Sequence, residues 1–299
     1  MSEVGERNVR QNASAGRSNT GRIWATIVIV VVAACCGLFL YFTYLPAENG
    51  LFNILILGED RNYSRNGDVL SAPGRPDTIL LLMVPKSSRG AALLSIPRDT
   101  LVRFPNGGVR RINSSVPEGG VDLARELVSD LVGLPVHRHV VVDFGGFVEL
   151  VDALGGVEVA VDKRMKYEDK AGGYSIDLEP GVYHMDGEMA LSFVRYRQDG
   201  LGDISRTARQ QEFVKAFIRE AGSFRAIPSY PNMLRVAQKC ADTDMTVKEV
   251  AAVAWRLRRL DSDTINSATL PGYFKGAYWD PDTQGIEALV RSLQDSAQK

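Results

Sequence analysis

Three cysteines and three histidines in 299 residues leave little material for covalent or metal cross-links. Cys35 and Cys36 lie inside an apolar run, so Cys240 stands alone in the rest of the chain and a disulfide framework is excluded. His137, His139 and His184 do not fall into a zinc-ligand spacing. An excess of one charge is missing too: 35 Lys and Arg against 36 Asp and Glu give a formal net charge of -1. That balance removes the electrostatic case for a nucleic-acid partner. No segment repeats at a fixed spacing, which argues against a solenoid.

What is present is one long stretch without charge, Ile23 to Leu45. Its 23 residues would span roughly 34 Å as a helix, enough for a hydrocarbon core of about 30 Å. Arg7, Arg10, Arg17 and Arg22 precede it against Glu3 and Glu6, and Pro46-Ala47-Glu48 follows. The positive-inside rule then predicts a cytoplasmic N-terminus and a single-pass cell-membrane protein with everything after about residue 46 outside. The apolar stretch is too long for a cleaved signal. Val32-Ala33-Ala34-Cys35 resembles a lipoprotein box, but Gly37 to Leu45 stays apolar after it, which favours an uncleaved anchor.

The organisation expected is a disordered tail over 1–22, a transmembrane helix over 23–45, a linker over 46–50, a core over 51–222, and an extension of the same domain over 223–299. Leu51 to Leu57, Ile79 to Val84 and Ala91 to Ile96 read as buried strands. Val157 to Val161 alternates as a half-buried strand. Helices are predicted over Asp122 to Val132, Gly145 to Leu154, Asp186 to Leu191, Ser205 to Gly222 and Thr283 to Leu293. A further one opens at the capping box Thr246-Val247-Lys248-Glu249. Val109 to Ser115 and the stretch around Pro228 and Pro231 read as loops. The expected fold is α/β, a central mixed sheet flanked by helices in a three-layer α-β-α sandwich.

Chemistry concentrates at strand ends. The three apolar runs are bounded by Asp60, by Arg75 and Asp77, and by Arg98 and Asp99. Asp60 and Asp77 could share a hard cation, since magnesium takes one or two carboxylates and completes its shell with substrate phosphate. Asp60 could equally cap a turn. Arg75 and Arg98 could face the same phosphates. A second cluster reads V-R-Y-R-Q-D-G-L-G-D-I-S-R-T-A-R-Q-Q from Val194 to Gln211. If Leu191 to Val194 is extended, Arg195 and Arg197 share a face. Arg206, Arg209 and Gln210 would share a stripe on the following helix. Convergent guanidiniums match phosphate oxygens; the competing reading is a solvated basic helix face.

These segments together resemble the LytR-CpsA-Psr family of cell-envelope proteins. The matching stretches are N-I-L-I-L-G-E-D at Asn53 to Asp60, R-P-D-T-I-L-L at Arg75 to Leu81, L-L-S-I-P-R-D-T at Leu93 to Thr100 and R-I-N at Arg111 to Asn113. V-V-D-F-G-G-F-V-E-L-V-D-A-L-G-G-V at Val141 to Val157 and the arginine stretch complete the match, in the family's order. The chain departs from the pattern at Glu59 and Gln198. The resemblance implies transfer of a glycopolymer from a polyprenyl-pyrophosphate carrier onto a peptidoglycan acceptor, forming a phosphodiester. It implies Asp60 and Asp77 as ligands of Mg2+. Arg75, Arg98, Arg195, Arg197, Arg206 and Gln210 would hold the pyrophosphate, with Arg111 and Arg209 counted beside them. Arg98, Asp99 and Asp203 would be catalytic, either carboxylate orienting arginines or handling the hydroxyl proton. The prenyl tail needs an apolar tunnel. Two other outcomes stay open: hydrolysis of the glycolipid, with water as acceptor, and a non-catalytic glycolipid-binding or transcription-attenuating protein. For the latter, the short N-terminal tail lacks a helix-turn-helix pattern.

Overall fold

A computed structural model of the chain describes residues 50–59, 74–86, 90–169, 174–196, 203–258, 260 and 264–298. The tail over 1–22, the apolar stretch over 23–45, most of the linker, Asp60 and Arg197 lie outside the described residues. Among those described, no helix is long and apolar enough to cross a membrane.

In chain order the elements are β1 (Leu51–Glu59), β2 (Pro76–Pro85), β3 (Ala91–Ser95), β4 (Leu101–Arg103), β5 (Val109–Arg111), α1 (Ser115–Val132), β6 (Arg138–Asp143) and α2 (Phe144–Leu154). Then come β7 (Val157–Val161), β8 (Met165–Asp169), β9 (Tyr174–Leu178), β10 (Gly181–Met185), α3 (Gly187–Arg195), α4 (Asp203–Gly222), α5 (Tyr230–Cys240) and β11 (Ala241–Thr243). α6 (Val247–Leu257), β12 (Ile265–Thr269), β13 (Gly272–Lys275), β14 (Tyr278–Pro281) and α7 (Thr283–Gln298) complete the chain.

Six strands form one sheet in the order β11-β6-β1-β2-β3-β12. β1 runs antiparallel to β2 and parallel to β6, and β3 is antiparallel to β2 and parallel to β12, so the sheet is mixed. The continuous apolar runs of β1 and β2 follow from cover on both faces. Alternate side chains go to opposite sides. Leu55, Leu57, Leu81 and Met83 pack with Leu127 and Val128 of α1 and Ile286 and Val290 of α7. Phe52, Ile54, Leu80 and Leu82 pack with Ile218 of α4 and Ala252, Val253 and Leu257 of α6. A separate apolar cluster joins α2, α3 and α4 to the small strands β7, β8, β9 and β10.

Several local expectations change. Val109 to Ser115 is not a loop: Val109–Arg111 pairs with β4 and Ile112–Ser114 makes a 3-10 turn. The helix expected over Asp122 to Val132 is present as the second stretch of α1; an additional stretch precedes it from Ser115, and the two are divided where Gly119 and Gly120 leave helical geometry, Gly120 at φ 72°. Pro228 sits within a 3-10 turn and Pro231 in the first turn of α5, where its missing N–H is harmless. The segment Leu191 to Val194, expected to be extended, is helical. Asp186 caps α3 by accepting from the Met189 N–H at 2.9 Å, and burial at Gly187, Ala190 and Phe193 recurs every three residues. The capping box at Thr246 and Glu249 and the in-out alternation of β7 are as the sequence predicts.

Candidate active site

Antiparallel neighbours explain why the chemistry gathers at strand ends. β1 finishes, β2 begins and β3 finishes on the same edge of the sheet, and β6 and β12, each parallel to a neighbour, finish there as well. On that edge Gly58 lies opposite Thr78. A Cβ at position 58 would sit 3.0 Å from the Thr78 Cβ, so glycine allows the two strands their close approach. Thr78 is held in turn by Gln210 of α4, whose side-chain nitrogen donates to Oγ1 at 2.9 Å.

The turn after β3 carries Arg98 and Asp99 and is clamped from several sides. The Thr100 hydroxyl and N–H both donate to the Pro97 carbonyl, at 2.6 and 3.0 Å. The Asn113 N–H donates to the Arg98 carbonyl at 3.2 Å, and the Trp279 N–H to that of Asp99 at 3.0 Å. Arg98 Nη1 meets Asp77 Oδ1 at 2.6 Å. Asp99 lies between two guanidiniums, 3.6 Å from Arg98 Nε and 3.2 Å from Arg111 Nε. Asn113 is a contributor that residue chemistry alone did not reveal: it acts through its backbone, and the R-I-N segment serves to hold the Arg98 turn.

Two cavities meet at this edge. The larger, of about 760 Å³, lies between the β6-β1-β2 face of the sheet and helices α2 to α6. Its wall is mostly aliphatic and aromatic, with Ile54, Leu80, Phe147, Phe213, Phe217 and Leu257 among the lining residues. The smaller, of about 50 Å³, is bounded by Arg98, Asp99, Thr207, Phe274 and Trp279. Asp77, Thr78, Arg206 and Gln210 line both. A polar junction therefore sits at one end of an apolar chamber, an arrangement suited to a ligand with an anionic head and a hydrocarbon tail.

The predicted residues divide accordingly. Arg206 is only 5% exposed and Arg209 only 8%, which rules out a solvated basic face for these two. Arg206 and Gln210 reach the junction, but Arg209 lines neither cavity; it donates to the Tyr196 carbonyl and lies 5.1 Å over the Tyr196 ring. Arg195 closes α3 and lines the large cavity, its guanidinium 4.6 Å over the Phe144 ring. The shared extended face expected for Arg195 and Arg197 does not form on the Arg195 side, since that residue is helical. Arg75 is exposed just before β2 and lines neither cavity. Arg111 reaches the site through Asp99, with its guanidinium 4.8 Å over the Tyr278 ring. Asp203 is the first residue of α4, one helical turn before Arg206.

For a divalent cation, Asp77 is the carboxylate at the junction, beside the Thr78 hydroxyl. Among the described residues no group of three or more His, Cys, Asp or Glu converges as a ready-made cage. One carboxylate next to an anion site is the donor set that suits magnesium, which keeps waters and takes substrate phosphate, better than zinc or calcium.

A family model described as LytR_cpsA_psr family matches residues 37–295. A polyisoprenyl-teichoic acid–peptidoglycan teichoic acid transferase, TagU of Oceanobacillus iheyensis, is 35% identical over 213 residues, which cover 69% of this chain and 62% of the relative. The match thus spans less than two thirds of that relative's length. Among solved structures, Bacillus subtilis TagV superposes with a TM-score of 0.71 at 26% identity, covering 84% of this chain and 98% of the other. TagT bound to LI-WTA gives 0.66 at 25% identity, covering 84% and 94%.

Proposed function

The chain belongs to the LytR-CpsA-Psr family, and on that premise we propose that it is a membrane-anchored extracytoplasmic phosphotransferase. Its reaction moves a glycopolymer from a polyprenyl-pyrophosphate carrier to peptidoglycan. The observation that carries this reading is the junction of the two cavities: a chamber of about 760 Å³ with an apolar wall ends at Asp77, Thr78, Arg206 and Gln210, with Arg98 on the far side. The tail would fill the chamber and place the pyrophosphate among the guanidiniums. The related transferase named for polyisoprenyl-linked teichoic acid and peptidoglycan agrees with this assignment.

In the proposed reaction an acceptor sugar hydroxyl attacks the phosphorus nearest the glycopolymer. A new O–P bond forms, the bridging O–P bond breaks, and polyprenyl monophosphate leaves with the bond's electron pair. Arg98 and Arg206 stabilise the negative charge gathering on the phosphate oxygens. Arg206 is suited to this because its burial keeps it from water, where the same charge would be screened. The hydroxyl proton passes to a carboxylate, Asp99 in the smaller cavity or Asp203 at the start of α4. Asp77, together with Asp60, would hold Mg2+, which supplies further charge neutralisation on the phosphates. The apolar stretch Ile23 to Leu45 would keep the domain at the membrane, where such a carrier resides.

The test uses the full chain in detergent with a synthetic polyprenyl-pyrophosphate saccharide, peptidoglycan fragments and magnesium. Wild type should form a phosphodiester-linked product, and Arg98→Ala and Asp77→Ala should lose it. Release of polyprenyl phosphate at the same rate without peptidoglycan would make the protein a hydrolase. Carrier binding with no turnover across a panel of donors would make it a scaffold.

A further inference from the structure

The β13–β14 hairpin exposes three aromatic side chains, Tyr273 at 59%, Phe274 at 62% and Tyr278 at 43%. Phe274 pairs across the hairpin with Trp279, and the two rings meet edge to face with centroids 5.0 Å apart. Both line the smaller cavity with Arg98 and Asp99, and no hairpin residue lines the large apolar chamber. Two contacts fix the hairpin to the reacting edge: the Trp279 N–H donates to the Asp99 carbonyl, and Arg111 bridges the Asp99 carboxylate and the Tyr278 ring. The Phe274–Trp279 face of the hairpin is therefore continuous with the candidate active site, away from the large chamber, while Tyr273 and Tyr278 project from the opposite face.

Clustered exposed rings on a folded surface mark a binding site. Their chemistry here is mixed. Arg98, Asp99 and Thr207 line the smaller cavity beside the Phe274 ring, and Lys275 and Asp280 form a 3.4 Å ion pair on the hairpin's other face. Ring faces beside hydrogen-bonding groups suit a pyranose, which offers a face of C–H groups to an aromatic quadrupole and hydroxyls at its rim. A bilayer would meet charged groups in the middle of so small a patch. We propose that this hairpin is the acceptor subsite, where a sugar ring of the acceptor glycan stacks on Phe274, on the face it shares with Trp279, and directs a hydroxyl into the smaller cavity. Its role as acceptor site rests on the transferase reading; its binding of saccharide does not.

The experiment measures binding of a tetrasaccharide of alternating N-acetylglucosamine and N-acetylmuramic acid to the full chain in detergent. Farnesyl pyrophosphate is titrated in parallel. Phe274→Ala should raise the tetrasaccharide Kd about tenfold, and Tyr273→Ala, on the opposite face, should leave it within about twofold. Phe274→Tyr, which keeps the ring, should stay within about twofold of wild type, and the farnesyl pyrophosphate Kd should stay within about twofold throughout. The proposal is overturned if wild type does not bind the tetrasaccharide, if Phe274→Ala binds it undiminished, or if both ligands weaken together, which would make the hairpin a structural support. Loss of binding to phosphatidylglycerol vesicles in Phe274→Ala, with tetrasaccharide binding intact, would overturn it in favour of a membrane contact. Tetrasaccharide binding that depends on the hairpin, in a protein that yields no transfer product, upholds the saccharide site and removes the transferase reading instead.

Discussion

Carrier affinity should depend on tail length up to a limit set by the chamber and no further. If each carbon-sized group occupies roughly 30 Å³, a liquid-like share, the 760 Å³ chamber holds about 25 carbons, or five isoprene units. At about 0.3 kcal/mol per buried atom, a realistic efficiency for a large ligand, each five-carbon unit contributes roughly 1.5 kcal/mol, a little over tenfold in Kd. Polyprenyl pyrophosphates of two to eight units, titrated in a fixed detergent, should therefore tighten by about tenfold per unit and level off near five. Ala237 lines the chamber from α5. Ala237→Phe adds six carbons, about 180 Å³ by the same measure, and should bring the plateau forward by one unit while leaving two- and three-unit ligands unaffected. Affinity that keeps rising with the same slope past seven units, or a plateau indifferent to Ala237→Phe, would refute the idea that this chamber receives the tail.

Arg206→Met should lower transfer by about 10²–10³-fold, as removal of a preorganised charge does in a water-poor site, while long-tailed carriers still bind; single-turnover assays separate the two effects. Thr246→Ala removes the Oγ1 that accepts from the Glu249 N–H and should destabilise by about 1 kcal/mol in urea melts. Burial pushes the Glu249 carboxyl up, but hydrogen bonds from Arg138 and from the N–H and hydroxyl of Thr246 outweigh it and hold the group below its ordinary 4.5. A depressed acid adds stability above its unfolded value and loses it as pH falls through the folded one. Stability should thus fall from about pH 4.5 downwards, and Glu249→Gln should flatten that limb in thermal melts taken from pH 3 to 7. Gly187→Ala would place a Cβ 2.5 Å from the Val148 carbonyl oxygen and 2.7 Å from its Cα, so α3 must move off α2. The cost should be about 1–3 kcal/mol, with Arg195 displaced and transfer impaired in proportion.

How far the sequence could be read depended on which physical signal each part carried. β1, β2 and β3 are legible because strands buried on both faces must be apolar throughout, and α6 because its capping box is local chemistry. Asp77, Arg98 and Asp99 were recognisable as charges placed directly against apolar runs. Leu191 to Val194 misled because four residues fit a period of two as easily as one of three, and the helix expected to stop at Leu191 runs on to Arg195. The hairpins β8–β9 and β13–β14 gave no warning, since short strands that expose much of one face show neither a continuous apolar run nor clean alternation. Arg209 shares a helix stripe with Arg206 by spacing, yet the neighbouring Tyr196 carbonyl claims it, a contact 13 residues away that periodicity does not report. The chamber was invisible for a different reason: Phe213 and Leu257 look the same in a sequence whether they meet another side chain or an empty space.

That space bears on how the protein would cycle. Interiors are ordinarily filled to crystal-like density, and here the layer between sheet and helices leaves a chamber that a hydrocarbon tail would complete. A tail in that position would act as a removable piece of the core, raising the melting temperature as any ligand selective for the folded state does. Donor and spent carrier have identical tails, so the chamber cannot tell them apart. Discrimination would fall to the junction, where a pyrophosphate would offer more charge to Arg98 and Arg206 than a monophosphate. Under the proposed transfer, turnover would be an exchange between two molecules that compete for one berth.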